Sequence, residues 1–323
     1  LSASTAPISP FGEWSTAQVD WLEISVQADG EAAEAVSEVF NRLNGAEGGR
    51  GGAAITIGGF GEDGVLRSPV VTVSTYLACD GREGERRRQI EEAIWHLRQL
   101  YSLPEPRVRV LAEEDWANAW KAHYHPFRVG EHLVIAPSWE PSSPGPSDTL
   151  ILLDPGMAFG TGLHPSTRLC LILLEAHLRP GDSVLDLGTG SGVLAIAAAK
   201  LGAASVLARD IDPIAVEAAR ENVARNGVNH VVRVEEGSLP EAGGQAKAGF
   251  DLVLVNILAE VIMRLLGEGL AEIVNPRGRL ILSGIIAPKA RDVEAVLAAR
   301  QFTIAERRAE GDWVALLAHT EKV

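Results

Sequence analysis

A turn with three alternating glycines gives the clearest sign of chemistry in this sequence. The apolar stretch Val184–Leu187 runs into Gly188, Gly190 and Gly192, and an apolar stretch of helical character follows at Val193–Leu201. Glycine allows the backbone to pass close to a ligand, and the N–H groups at the start of a helix point toward it. The sequence therefore predicts a strand, a tight turn and a helix that together hold a cofactor.

A carboxylate follows at the end of the next apolar run. Ser205–Ala208 leads into Arg209 and Asp210, which predicts a second, parallel strand with Asp210 at its carboxyl end. An acid in that position accepts hydrogen bonds from two ribose hydroxyls in dinucleotide folds. The glycines alone could form an ordinary strand-to-helix turn, but the order of strand, glycines, helix, strand and acid indicates a nucleoside site.

The spacing of the turn favours S-adenosylmethionine over a dinucleotide. A dinucleotide fingerprint has a third glycine at the sixth position of G-x-G-x-x-G, and Val193 stands there instead. Asp186 lies two residues ahead of the first glycine, where it would repel a pyrophosphate. The same carboxylate can accept a hydrogen bond from an ammonium, and S-adenosylmethionine carries an ammonium and no phosphate.

A loop rich in glycine and proline, Asp154–Thr167, precedes the first of these strands and can fold over a ligand. Phe159 offers a ring face, Thr161 and Thr167 offer hydroxyls, and a helix is expected to begin at about Thr167. The alternative is a structural turn in which Thr167 or the serine before it caps the helix. We expect His164 to fix the loop by a hydrogen bond, with catalysis as the other possibility.

Asn256 directly follows the apolar strand Asp251–Val255 and is a candidate for orienting an amine. Methyl transfer from a sulfonium to an amine needs a neutral nitrogen whose lone pair is aligned with the methyl group. A free lysine, with a pKa of about 10.4, is mostly protonated, but burial lowers the pKa of an ammonium. The Asn256 oxygen and a neighbouring backbone carbonyl can accept the amine hydrogens. The alternative is that Asn256 only caps the next helix.

The order of predicted elements indicates two domains and a connector. The N-terminal part alternates strands and helices as βαββαβ, which is typical of a ferredoxin-like α+β sandwich. From Thr149 onward, strands and helices alternate as in an α/β doubly wound, Rossmann-like sheet. The predicted division is an N-terminal domain at 1–114 with a loose tail at 1–16, a connector at 115–148, and a cofactor-binding domain at 149–323.

Composition and charge narrow the class of protein. The chain has 323 residues, 46% of them hydrophobic and 22% charged, as in globular proteins, and no apolar run is long enough for a membrane span. Cys79 and Cys170 are far apart and are expected to be reduced thiols, which predicts a cytoplasmic protein. The net charge of −14 disfavours binding to nucleic acid and fits a basic protein partner. The alternative is that the acidic charge only keeps the protein soluble. His123 and His125 lack further ligands nearby, so no metal is expected.

Five segments together resemble the PrmA methyltransferases, which modify ribosomal large-subunit protein eleven. They are Asp115–Trp120, the loop Asp154–Thr167, the turn Asp186–Gly192, Asp210–Pro213 and the tetrapeptide Asn256–Ala259. The loop sequence Phe-Gly-Thr-Gly-x-His-Pro and the tetrapeptide Asn-Ile-Leu-Ala distinguish this family from other S-adenosylmethionine enzymes when they occur together. The resemblance covers nearly the whole chain.

The resemblance implies a bacterial enzyme whose N-terminal domain grips the ribosomal protein while its C-terminal domain carries S-adenosylmethionine. It further implies that Thr167, Gly188, Asp210 and Asn256 contact the cofactor, and that lysine side chains and the N-terminal amine of the substrate are methylated. Arg209 departs from the family pattern, since a small or apolar residue is more common there, and the N-terminal domain is longer than usual. The alternatives are an enzyme of the same fold acting on a small molecule or nucleobase amine, and a non-catalytic cofactor-binding module.

Overall fold

The protein is described by a computed structural model that covers residues 21–45, 51–57, 70–79, 81–111, 125–140, 142–154, 162–240 and 249–320. The predicted tail at 1–16 lies outside these residues. Secondary structure occupies most of the described chain, in one small antiparallel sheet, one short mixed sheet and one large, mostly parallel sheet.

The N-terminal elements follow the predicted order βαββαβ. The four strands pair antiparallel in the order β2-β3-β1-β4, and apolar side chains from both helices pack with β1 and β3 in one hydrophobic core. This is the strand order of a ferredoxin-like sandwich, as predicted. The elements are β1 (Trp21–Asp29), α1 (Gly30–Gly45), β2 (Gly51–Ile57), β3 (Val70–Ala78), α2 (Glu83–Leu97) and β4 (Arg107–Leu111).

A short three-stranded sheet follows, with two strands in the region predicted as a connector and the third at the start of the predicted cofactor-binding domain. It consists of β5 (Phe127–Val129), β6 (Leu133–Ala136) and β7 (Thr149–Leu152). Strands β5 and β6 pair antiparallel, and β6 pairs in parallel with β7. Strand β5 was not among the predicted strands; its Phe127 and Val129 are buried in a core shared with the large sheet.

The large sheet confirms the predicted doubly wound arrangement. Its seven strands lie in the order β10-β9-β8-β11-β12-β14-β13, with parallel pairing from β10 to β12 and antiparallel pairing of β14 with both neighbours. Its strands are β8 (Ser183–Leu187), β9 (Ser205–Asp210), β10 (Val232–Glu236), β11 (Phe250–Asn256), β12 (Val274–Ile286), β13 (Phe302–Glu310) and β14 (Trp313–Thr320).

Helices cover both faces of this sheet, which is why its central strands are apolar almost throughout. One core contains side chains of α3, α4 and α5, and a second core on the other face contains side chains of α6 and α7. These helices are α3 (Pro165–His177), α4 (Val193–Lys200), α5 (Pro213–Arg225), α6 (Ala259–Glu268) and α7 (Ala290–Ala299). Within the described chain, no helix is both long enough and apolar enough to cross a membrane.

Candidate active site

The turn after β8 closes against the end of β9. The N–H groups of Gly188 and Thr189 both donate to the carbonyl oxygen of Arg209, at 2.8 and 3.0 Å. Gly188 has a φ of +74°, and a Cβ there would lie 2.6 Å from Cγ2 of Ile257. Glycine at this position therefore permits both the left-handed backbone and the close approach of the residue after Asn256.

Asp210 lies at the carboxyl end of β9, beside the glycine turn, as predicted. Its Oδ2 accepts from the Gly190 N–H at 2.9 Å, and its Oδ1 accepts from the Asp212 N–H at 3.0 Å. Each carboxylate oxygen can accept a further hydrogen bond. The backbone thus orients the carboxylate and leaves it able to accept from two hydroxyls.

Asp186 lies in the interior directly under the turn. Its Oδ2 accepts from the Thr189 hydroxyl at 2.6 Å and from the Ala195 N–H at 3.1 Å, whereas its Oδ1 is buried and has no hydrogen-bond partner among the residues described. Burial raises the pKa of Asp186 to about 7, and the neighbouring charge of Asp210 adds to this, against the lowering effect of the two hydrogen bonds. A buried oxygen without a partner is costly, so an ammonium that donated to Oδ1 would relieve that cost.

Asn256 ends β11, the strand next to β8, and faces helix α3. Its Nδ2 donates to the hydroxyl of Thr167 at 3.2 Å. That bond orients the amide and leaves Oδ1 as the atom that can accept from a ligand. Helix α6 begins at Ala259 with Leu258 as its N-cap. The alternative in which Asn256 caps this helix is therefore wrong.

These residues converge because β8, β9 and β11 are neighbouring parallel strands whose carboxyl ends meet at one edge of the sheet. In open α/β sheets, ligands bind beyond this edge, where the strand order reverses. Here the reversal falls between β8 and β11, which carry Asp186 and Asn256. The structure thus brings Thr167, Gly188, Asp210 and Asn256 to one place.

Comparisons with known proteins agree with this arrangement. A family model described as ribosomal protein L11 methyltransferase (PrmA) matches residues 20–321. The chain belongs to the PrmA family. A ribosomal protein L11 methyltransferase of Chloroflexus aurantiacus is 49% identical over 325 residues, covering 92% of this chain and 97% of the relative. Its counterpart in Herpetosiphon aurantiacus is 42% identical, with 92% and 98% coverage.

A solved structure of ribosomal protein L11 methylase from Lactobacillus delbrueckii subsp. bulgaricus also matches. It is 36% identical, with a TM-score of 0.54, and the match covers 61% of this chain and 100% of that chain. The resemblance to the PrmA family inferred from the sequence is confirmed, and with it a methyltransferase fold.

In this PrmA family chain, His164 has the loop-fixing role that was expected. It is the N-cap of α3, where its Nδ1 accepts from the Ser166 N–H at 3.3 Å and lies 2.7 Å from the Ser166 hydroxyl oxygen. Its ring packs edge-on against Trp313, with ring centroids 4.6 Å apart. The alternative in which Ser166 or Thr167 caps the helix is wrong, because both lie inside it.

Two residues beside the site, Ser283 and Gly284 in β12, were not predicted from the sequence. Gly284 has a φ of +79°, and a Cβ there would collide with the carbonyl oxygen of Ile257. The Ser283 hydroxyl donates to the carbonyl oxygen of Ser166 at 2.9 Å, which ties β12 to α3. A glycine inside an apolar strand often indicates close approach of another backbone, and that signal was present here.

Arg209, which directly precedes Asp210, turns away from it toward β10. Its Nη2 lies 2.7 Å from a carboxylate oxygen of Glu235, and its Nη1 donates to the carbonyl oxygen of Ser238 at 3.1 Å. The Gly237 N–H in turn donates to the Asp210 carbonyl at 2.8 Å. Arg209 therefore holds the loop after β10 beside Asp210.

Phe159 and Thr161, also predicted to bind the cofactor, lie outside the described residues, as does His123. His125 is described, and its Nδ1 lies 3.0 Å from a carboxylate oxygen of Glu140. Over the ranges that the structure covers, there is no group of three His, Cys, Asp or Glu side chains that could hold a metal ion.

Proposed function

We propose that this chain is an S-adenosylmethionine-dependent methyltransferase that methylates lysine side-chain and N-terminal amines of ribosomal protein L11. Membership of the PrmA family supports the reaction and the substrate. The observation that carries the chemistry is the Asn256 amide, whose nitrogen is held by Thr167 so that its oxygen remains to accept from an amine.

The residues present fit S-adenosylmethionine. The oriented Asp210 carboxylate would accept from the two ribose hydroxyls, the unpartnered Asp186 oxygen would accept from the ammonium, and Gly188 and Gly190 would let the backbone approach the cofactor. Thr167 stands next to Asn256 at the reacting end. When bound, the cofactor supplies an electrophilic methyl group on a sulfonium.

Asn256 orients the substrate amine in this proposal. Its Oδ1, together with a nearby backbone carbonyl, accepts hydrogens of a neutral amine and so directs the nitrogen lone pair. Desolvation in the site favours the neutral amine over the ammonium. No strong base is needed at this step. Each transfer leaves the amine protonated, and after it has lost that proton to solvent the amide can accept from it again, while a hydrogen remains to donate.

The division of labour follows the predicted domains. In this proposal residues 1–114 grip L11, 115–148 connect, and 149–323 carry the cofactor. Support comes from the hydrophobic cores, because one core draws only on residues from Leu22 to Val108 and the others only on residues from Phe127 onward. A cytoplasmic site of action, without direct binding to nucleic acid or membrane, is part of the same proposal and agrees with Cys79 and Cys170, which are not joined in a disulfide.

The test is to incubate purified protein with S-adenosylmethionine and unmodified L11 and to measure methyl addition by mass spectrometry. We expect mass increases of whole methyl groups at lysines and at the N-terminus. Cofactor binding without methylation of any amine would indicate a non-catalytic module instead. Methylation of a small-molecule or nucleobase amine, with L11 unchanged, would establish the alternative enzyme of the same fold.

A further inference from the structure

Leu258 is a large, exposed apolar side chain two residues after Asn256. It is 45% exposed, although the two strand residues before Asn256 are fully buried. It is also the N-cap of α6, with φ −56° and ψ 140° and no side-chain capping hydrogen bond. Serine, threonine, aspartate and asparagine are preferred at this position and leucine is among the least favoured residues. Neither burial nor helix capping explains the leucine.

The backbone on either side keeps Leu258 in place. Ile257 packs with its side chain against Gly188 and with its carbonyl against Gly284, and both contacts leave no room for a Cβ on the glycine. The Leu258 carbonyl accepts from the Val261 and Ile262 N–H groups, both at 3.0 Å. The exposed side chain therefore has a fixed origin two residues from the Asn256 amide.

The charged residue nearest to Leu258 along α6 already has a partner of opposite charge. Glu260, in the first turn of α6, pairs with Lys289 at 3.2 Å. Their charges offset each other, and Leu258 adds an exposed apolar side chain two residues along the chain from Asn256. An apolar side chain close in sequence to an amide that accepts from an amine suits a substrate whose hydrocarbon chain ends in an amine.

We propose that Leu258 determines specificity for lysine by packing against the aliphatic stem of the substrate side chain. This inference rests on the proposed function. Asn256 can accept hydrogens from any amine and cannot distinguish a lysine from an N-terminal amine. A lysine carries four methylenes that bury against apolar surface while the amine stays with polar groups, whereas an N-terminal amine has no such stem.

The test compares the wild type, Leu258→Asn and Leu258→Met on L11, with mass spectrometry used to quantify lysine and N-terminal methylation separately. Asparagine keeps the approximate size and is a good N-cap, so thermal unfolding should show an unchanged or higher Tm. We expect Leu258→Asn to lower kcat/KM for lysines about tenfold, equivalent to about 1.4 kcal/mol, through KM. N-terminal methylation should change less than about twofold, and Leu258→Met should restore most lysine activity.

Equal loss at both kinds of amine, or no loss at lysines, would overturn the role of Leu258. So would a wild type that methylates only the N-terminus. Failure of the wild type to methylate L11 at all is a separate result, which would overturn the proposed function itself and this inference with it.

Discussion

Asn256 is the residue on which the proposed chemistry depends most directly. In the proposed mechanism Asn256 contacts the amine, so Asn256→Ala should slow turnover by about 10², the scale of one lost polar contact in a transition state. The Kd for S-adenosylmethionine should change by only about a few-fold. Single-turnover kinetics and titration calorimetry measure the two quantities separately.

Asn275→Ala is the matched control for this change. Asn275 is an asparagine of the same sheet whose Nδ2 donates to Asp251 at 2.8 Å, at the opposite end of β11 from Asn256. Its removal should affect stability and leave turnover unchanged. If Asn256→Ala weakened cofactor binding as much as it slowed the reaction, its role would be cofactor binding alone.

Asp186 makes the stability of the cofactor-free protein depend on pH. Its pKa is raised from 3.8 to about 7, so the folded state holds its proton more tightly than the unfolded chain does. Its contribution to stability therefore falls as pH rises from about 4 to about 7 and is constant above that. At about 1.4 kcal/mol per pKa unit, the full effect is on the order of 4 kcal/mol.

Asp186→Asn removes this titration. Denaturant unfolding of variant and wild type between about pH 4 and pH 8 should show the variant gaining stability relative to the wild type as pH rises, because only the wild type acquires a buried charge. S-adenosylmethionine should bind the variant more weakly, since the neutral amide has lost the anionic acceptor for its ammonium. A stability difference that does not vary with pH would contradict the buried-charge account.

At the scale of elements, strands with long apolar runs were predicted correctly, whereas a very short strand and the exact start of a helix were not. The glycine turn, the strand that ends in Asp210 and the strand before Asn256 could be predicted because apolar runs and turn residues mark strand ends. Strand β5 has only three residues, too few to show a period, so it could not. The cap formed by His164 was correctly expected as a loop-fixing bond, but the start of α3 was placed two residues late.

The approach of Ile257 to Gly188 and Gly284 depends on which strands are neighbours, and no local pattern contains that information. The tetrapeptide Asn-Ile-Leu-Ala is visible in the sequence, but only the sheet order shows that β12 lies beside β11 and brings Gly284 against the backbone of Ile257. The same holds for the bond from Asn256 to Thr167, which joins residues 89 positions apart.

Arg209 links the carboxyl end of β9 to the loop after β10, and this link can be tested. Arg209 holds Ser238 and Glu235 beside Asp210, so Arg209→Met should loosen this loop and raise the Kd for S-adenosylmethionine roughly fivefold, which corresponds to about 1 kcal/mol. Arg233 contacts the other oxygen of Glu235 at 2.5 Å from an exposed position. Arg233→Met should therefore leave the Kd nearly unchanged, and calorimetry compares the two. If both variants raised the Kd equally, the increase would come from the lost contact with Glu235 and not from a loosened loop.

The whole molecule carries a net charge of −14, which bears on how it meets its substrate. A protein that binds RNA does so largely through lysine and arginine. We therefore expect the acidic enzyme to attract L11 over distances longer than direct contact. Raising salt from about 0.1 M to about 1 M shortens the Debye length from about 10 to about 3 Å. The KM for L11 should then rise on the order of tenfold, mainly through slower association.

Two controls distinguish a weaker attraction of L11 from a general loss of activity in high salt: the Kd for S-adenosylmethionine and the turnover number. In the proposed site S-adenosylmethionine makes short-range contacts with buried or oriented groups such as Asp186 and Asp210, so its Kd should change less than about twofold over the same range. The turnover number at saturating L11 should also be retained, because the site is already formed once the substrate is bound. A KM for L11 that stays flat or falls with salt would mean that the acidic surface serves solubility, and that recognition of L11 rests on uncharged contacts.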